Sequence, residues 1–147
     1  NDDMGDYRPG IDALHEHGIR SPLLETNFTK QLVRETAKSI GLSIYDKPSN
    51  SCLASRIPWG QRVTAEKLAR IEMGEKIIKQ KTGIQQVRVR DIDGIARIEV
   101  EREKLQLFND NEIKNEIFSK LTMIGFSQVE IDPDGYQSGK LNIIFEN

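Results

Sequence analysis

The sequence predicts an α+β protein: the end of an α/β domain, then a small α-β-β-α-β domain with a mainly antiparallel sheet. Three observations carry that expectation. Residues 1–48 run helix, extended segment, helix, an order found at the end of an α/β domain but too short to be a whole one. In residues 85–101, Val87 and Val89 alternate with Arg88 and Arg90, Asp93-Gly94 makes a tight turn, and Ala96, Ile98 and Val100 alternate on the return. Helical periodicity before and after this hairpin supplies a covering layer. The division expected is therefore 1–48 and 49–147.

In chain order, Asp2-Asp3-Met4-Gly5-Asp6-Tyr7-Arg8-Pro9-Gly10 is acidic and turn-rich and reads as a loop. Pro9 suits the first turn of a short helix through about His17, closed by Gly18. Residues 19–24 read as a short strand or extended segment. Thr29 is placed to cap a helix in which Leu32, Val33, Ala37 and Ile40 share a face until Gly41 stops it. Residues 43–60, punctuated by Pro48, Pro58 and Gly60, read as loop. Thr64 caps a strong helix with Leu68, Ile71, Ile77 and Ile78 on its apolar stripe, and Gly83 ends it. After the hairpin come a short helix over 103–108 and a longer one over 112–124 ended by Gly125. A strand over 128–132, the turn Pro133-Asp134-Gly135 and a last strand over 141–145 complete the chain.

Composition bounds the function. Hydrophobic residues make up 37% of 147 and charged ones 30%, enough apolar material for a core. A net charge of −2 argues against a protein built to coat nucleic acid or an anionic membrane. No apolar run approaches the ~20 residues of a membrane span, and no secretory leader pattern is seen. One cysteine cannot form an intrachain disulfide, so a reducing cytoplasm is the expected compartment. The start at Asn1-Asp2-Asp3, without an initiator methionine, suggests a fragment lacking an N-terminal part.

Rare and reactive residues concentrate in Ser49-Asn50-Ser51-Cys52-Leu53-Ala54-Ser55-Arg56-Ile57-Pro58-Trp59-Gly60, which holds the sole cysteine and the sole tryptophan. A lone cysteine is most often a small buried hydrophobe. Here it stands in a polar loop off any apolar face, where Arg56, and Lys47 if the loop folds back, would favour a thiolate. The histidines, His15 and His17, are remote in sequence, so a cysteine-protease arrangement has little support. With no Cys-x-x-Cys or Cys/His cluster, neither a zinc site nor an iron–sulfur cluster can be assembled from these residues. Asp2, Asp3 and Asp6 could hold magnesium beside phosphates, although a solvated loop is the simpler reading. Arg88 and Arg90 share one strand face and could grip a phosphate or carboxylate. The plainer alternative is an exposed hairpin face paired with Glu99 or Glu101, with Arg97 adding charge. A glycine-rich phosphate loop is absent from the sequence.

Taken together, several segments resemble the C-terminal half of the LarE family, ATP-dependent sacrificial sulfur transferases of the PP-loop superfamily. They are the Asp2-to-Gly10 run, Val33-Arg34, Lys47-Pro48, Cys52-Leu53-Ala54-Ser55-Arg56-Ile57-Pro58-Trp59-Gly60, Val87-Arg88-Val89-Arg90, and Gly135-Tyr136 with Ser138-Gly139. The resemblance implies that 1–48 is the remnant of a PP-loop nucleotide-binding domain and 49–147 a sulfur-transfer domain. It implies that ATP and magnesium act through an upstream PP-loop domain, whose Ser-Gly-Gly-x-Asp-Ser signature is missing here. The fragment alone would then adenylate nothing.

On that resemblance, Cys52 matches the cysteine consumed as sulfur donor to an adenylated pyridinium dicarboxylate mononucleotide, in nickel-pincer cofactor synthesis. Arg56, Arg88 and Arg90 fall at substrate or phosphate-binding positions, Glu75 or Glu72 at a nearby acidic one, and Asp3, Asp6 and Arg8 near the nucleotide. Partners implied are the nucleotide-like substrate, the chain's own PP-loop domain and further copies in a homo-oligomer. A single cysteine fits the sacrificial kind and no iron–sulfur cluster. Two other readings stay open: a PP-loop enzyme thiolating transfer RNA, and a non-catalytic assembly domain with Cys52 inert.

Overall fold

A computed structural model of the chain describes residues 10–47 and 51–137. The chain divides into two units, Asn1–Lys47 and Pro48–Asn147. The expected loop at Asp3, Asp6 and Arg8 and the expected strand at 141–145 lie outside the described residues.

Among its described residues the first unit holds three helices: α1 (Gly10–Glu16), α2 (Pro22–Glu25) and α3 (Lys30–Ser39). The extended segment expected over 19–24 is replaced by α2. Pro22, with φ fixed near the helical value, starts the helix, and the Ser21 carbonyl accepts from the amides of Leu24 and Glu25. Thr29 caps α3 as expected, its hydroxyl accepting from the Leu32 amide at 3.2 Å. Arg34 then ties the following turn down, donating to the carbonyls of Tyr45 (3.1 Å) and Lys47 (2.8 Å). Yet α2 and α3 bury no residue, and Leu23, Leu32, Val33, Ile40, Leu42 and Ile44 are exposed. So small a unit with its apolar stripe in solvent buries too little to offset chain entropy. A peptide of residues 1–47 is accordingly expected to be largely unfolded, and a cooperative thermal transition in its far-UV circular dichroism would contradict this.

Among the described residues, the second unit is built on a three-stranded sheet of β1 (Val87–Ile92), β2 (Ile95–Val100) and β3 (Gln128–Ile131), in that spatial order. β1 and β2 are antiparallel, with Val89 opposite Ile98. Asp93 and Gly94 both take positive φ, 49° and 88°, as a two-residue hairpin turn requires. The Asp91 carboxylate accepts the Gly94 amide at 3.0 Å and holds the turn. β3 runs parallel to β2, because a 3-10 helix (Arg102–Asn109) and α5 (Asn111–Met123) carry the chain back across the sheet. The 103–108 segment is thus helical as expected, in the tighter 3-10 form.

α4 (Ala65–Thr82) is capped by the Thr64 hydroxyl and closed by Gly83 in the left-handed conformation. Its Ile71 and Ile78 enter a core completed by Val87, Val89, Ile98, Val100, Ile117, Leu121 and Phe126, while Leu68 and Ile77 are only half-buried. Gly74 permits this approach: a Cβ there would stand 2.9 Å from a Leu121 methyl and 3.6 Å from both Val89 methyls. Two expectations need correction here. Residues 43–60 are not all irregular, since Leu53–Arg56 form a 3-10 helix. Nor is β1 half-exposed: Arg88 and Arg90 are 4% and 7% accessible, because the chain around that helix covers their face.

Candidate functional site

Cys52 stands at the N-cap of the 3-10 helix Leu53–Arg56, with its side chain exposed. The Cys52 carbonyl anchors the turn, accepting from the Ser55 amide at 3.1 Å and the Ser55 hydroxyl at 2.8 Å. The hydroxyls of Ser51 and Ser55 meet at 2.9 Å. Small polar side chains on both sides of the cysteine thus let the loop close on itself. On the C-terminal side the chain is plugged into the core by Ile57, which is 6% accessible.

Beneath the thiol-bearing turn lies Arg56, fully buried. Its Nη1 donates to the Ser51 carbonyl (2.9 Å), the Ser51 hydroxyl (2.8 Å), the Cys52 carbonyl (3.0 Å) and the Ser55 hydroxyl (3.1 Å). The other edge of the guanidinium faces Glu75 of α4, with Nε to Oε1 at 2.8 Å and Nη2 to Oε2 at 3.4 Å. Glu75 also accepts the Val89 amide at 3.3 Å, so one carboxylate links α4, β1 and the loop. Of Glu72 and Glu75 on this helix, Glu75 faces the loop, whereas Glu72 is exposed.

Arg90 forms the second link. Its Nε and Nη2 donate to the two Glu99 oxygens at 3.0 and 2.8 Å, a bidentate pair across the hairpin. Its remaining nitrogen, Nη1, donates to the Ser55 carbonyl at 2.7 Å. Arg88 lies with its guanidinium 5.3 Å from the centre of the Tyr136 ring and donates to the Val87 carbonyl at 3.0 Å. Burial pushes the Arg88 pKa down, the neighbouring charge of Arg56 adds to that, and Glu75 acts in the opposite sense. Among the described residues, the guanidiniums of Arg56, Arg88 and Arg90 and the carboxylates of Glu75 and Glu99 are all buried in this region.

Cys52, Arg56, Glu75, Arg88 and Arg90 thus belong to one unit and one connected region. Lys47 belongs to the other unit, and Asp3, Asp6 and Arg8 lie outside the described residues. His15 and His17 are exposed on the first unit. Arg97 turns instead to Glu130 on β3, and Glu101 is exposed. Glu99 entered the sequence reading only as a surface partner. The signal for a larger part was its position directly opposite Arg88 in the hairpin register, which lets it reach Arg90 on the diagonal. Tyr136, singled out in the sequence only within the Gly135-Tyr136 pair, reaches Arg88 through tertiary folding. Among the described residues no group of three or more His, Cys, Asp or Glu is placed to hold a metal ion. Nor is any helix among them long and apolar enough to cross a membrane.

No protein-family model matches the chain. It is 45% identical over 141 residues to an uncharacterized protein of Synechocystis sp., covering 96% of this chain and 52% of that protein. To the pyridinium-3,5-bisthiocarboxylic acid mononucleotide synthase of Lactiplantibacillus plantarum it is 36% identical over 143 residues, covering 95% of this chain and 50% of the enzyme. An uncharacterized protein of Methanocaldococcus jannaschii is 31% identical over 137 residues, with 93% and 52% covered. The chain spans about half the length of the curated relatives it matches. Along nearly all of its own length, this chain is similar to that synthase.

Proposed function

We propose that this chain carries the sulfur-donating part of a sulfur transferase that makes thiocarboxylates for a nickel-pincer cofactor. The observation that carries the reading is an exposed thiol on a turn fixed from below by buried guanidiniums, in a chain similar to a bisthiocarboxylic acid mononucleotide synthase. The substrate would be a pyridinium dicarboxylate mononucleotide already activated as an acyl-adenylate. ATP and magnesium would supply that activation before the sulfur-transfer step. That activation belongs to a PP-loop domain, with residues 1–48 as its remnant and Asp3, Asp6 and Arg8 near the nucleotide.

Cys52 sulfur attacks the activated carbonyl carbon, the carbon–oxygen bond to the adenylate breaks, and AMP leaves with that electron pair. Loss of the Cys52 Cα proton to a base then expels the thiocarboxylate from Cβ. Sulfur departs with the Cβ–S electrons, and dehydroalanine remains in the chain. Arg56 holds the turn that presents the thiol, and Arg88 and Arg90 supply positive charge for the substrate's anionic groups. The reaction would take place in the cytoplasm, in a homo-oligomer and without nucleic acid.

On this reading each chain carries one donor sulfur, that of Cys52. Product formed by the full-length protein without added sulfide should therefore plateau at no more than one sulfur transferred per chain. Sustained turnover beyond that plateau would count against the reading.

A further inference from the structure

Glu99, near the end of β2, is 3% accessible and stands opposite Arg88 in the hairpin register. Both its oxygens accept from one edge of the Arg90 guanidinium, from Nε at 3.0 Å and Nη2 at 2.8 Å. A planar fork held at two points has a fixed orientation, so the direction of Nη1 on its far side is fixed too. That direction leads to the Ser55 carbonyl, at 2.7 Å. Ser55 passes the constraint on: its amide donates to the Cys52 carbonyl at 3.1 Å, and its hydroxyl to the same oxygen at 2.8 Å. Glu99 is thus linked to the thiol-bearing residue through Arg90 and Ser55.

We propose that Glu99 is a positioning residue for sulfur transfer: through Arg90 and Ser55 it sets where the Cys52 sulfur stands. The inference rests on the reading of Cys52 as the sulfur donor. Attack on an acyl carbon needs the nucleophile at a defined distance and angle, and a misplacement of about 1 Å can cost on the order of a hundredfold in rate. The turn is fixed from two sides. Arg56, paired with Glu75 of α4, holds it through the carbonyls of Ser51 and Cys52. Arg90, paired with Glu99 of β2, holds it through the carbonyl of Ser55. Helix and sheet therefore each grip the turn once, by a carboxylate acting through an arginine. A carboxylate suits this task because both its oxygens accept. An amide in its place would set an N–H group against one of the two Arg90 donors and release the fork.

The test uses the full-length protein with ATP and the pyridinium dicarboxylate mononucleotide, following a single round of sulfur transfer. Glu99→Gln should lower the maximal rate about tenfold and leave the half-saturating substrate concentration within a factor of about two. Glu99→Asp keeps the charge that pairs with buried Arg90, and so favours folding, but its shorter side chain draws Nη1 away from Ser55. Its maximal rate should fall about threefold or more, again with the half-saturating concentration unchanged. In the unmutated protein, nuclear magnetic resonance should show separate Nη1 and Nη2 proton signals for Arg90, the mark of a guanidinium that does not rotate about its Nε–Cζ bond. Merged signals overturn the proposal whether or not either variant folds. An unchanged maximal rate in a folded Glu99 variant also overturns it, as does an effect confined to the half-saturating concentration, which would place Glu99 in substrate binding. Cys52→Ala separates the two readings. If that variant still transfers sulfur, the donor reading falls and the proposal with it; if it is inactive while Glu99→Asp works at full rate, the proposal alone falls.

Discussion

Replacing Arg56 by alanine is expected to cost about 3–5 kcal/mol of stability, a large fraction of what a domain of this size has in total. The reason is asymmetry. Glu75 would keep its buried position on α4, beside the core, with a carboxylate that had lost its ion-pair partner. At the same time the Cys52 turn would lose the four contacts that share the two Nη1 hydrogens. Arg56→Lys should recover little, because an ammonium cannot span Glu75 on one side and the Ser51–Ser55 turn on the other. Urea unfolding at neutral pH measures the effect. A loss below about 1 kcal/mol would mean that Glu75 reaches water once Arg56 is gone, and that the network is not the clamp described here.

The second large effect is on activity. Cys52→Ala should abolish sulfur transfer, while stability stays within about 0.5 kcal/mol of the unmutated protein, since the side chain is exposed and its carbonyl does the structural work. Cys52→Ser should behave alike, because an alcohol can attack an acyl-adenylate but offers no sulfur to give. The two variants thus separate the turn from the thiol. Losing Arg56 disturbs both the fold and the chemistry, whereas losing Cys52 touches the chemistry alone. Residual transfer by Cys52→Ala above a sulfide-free background would assign the donor elsewhere.

Local rules made most of the second unit readable. Thr64 and Gly83 delimit α4 because capping and left-handed termination act within a few residues. Asp93-Gly94 fixes the hairpin for the same reason. What stayed hidden was decided by packing at long range. Alternation of valine with arginine in β1 reads as one wet face, and it is instead covered by the turn thirty-odd positions earlier, through the Arg90 to Ser55 bond. Residues 19–24 misled because Ile19, Leu23 and Leu24 look like a strand, while Pro22 and the Ser21 carbonyl set a helix start. At the site, the cysteine and its arginine were legible from rarity and spacing. The choice of Glu75 over Glu72 was not, because two carboxylates three positions apart share the polar character that a pattern can see and differ only in which side of α4 meets β1.

In the proposed reaction Cys52 is consumed. Mass spectrometry of the full-length protein after one round of turnover measures this directly, on the peptide that contains residue 52. The expected result is a peptide lighter by the mass of hydrogen sulfide, with dehydroalanine at position 52 in proportion to the product formed. An intact Cys52 in protein that has made thiocarboxylate would contradict the account.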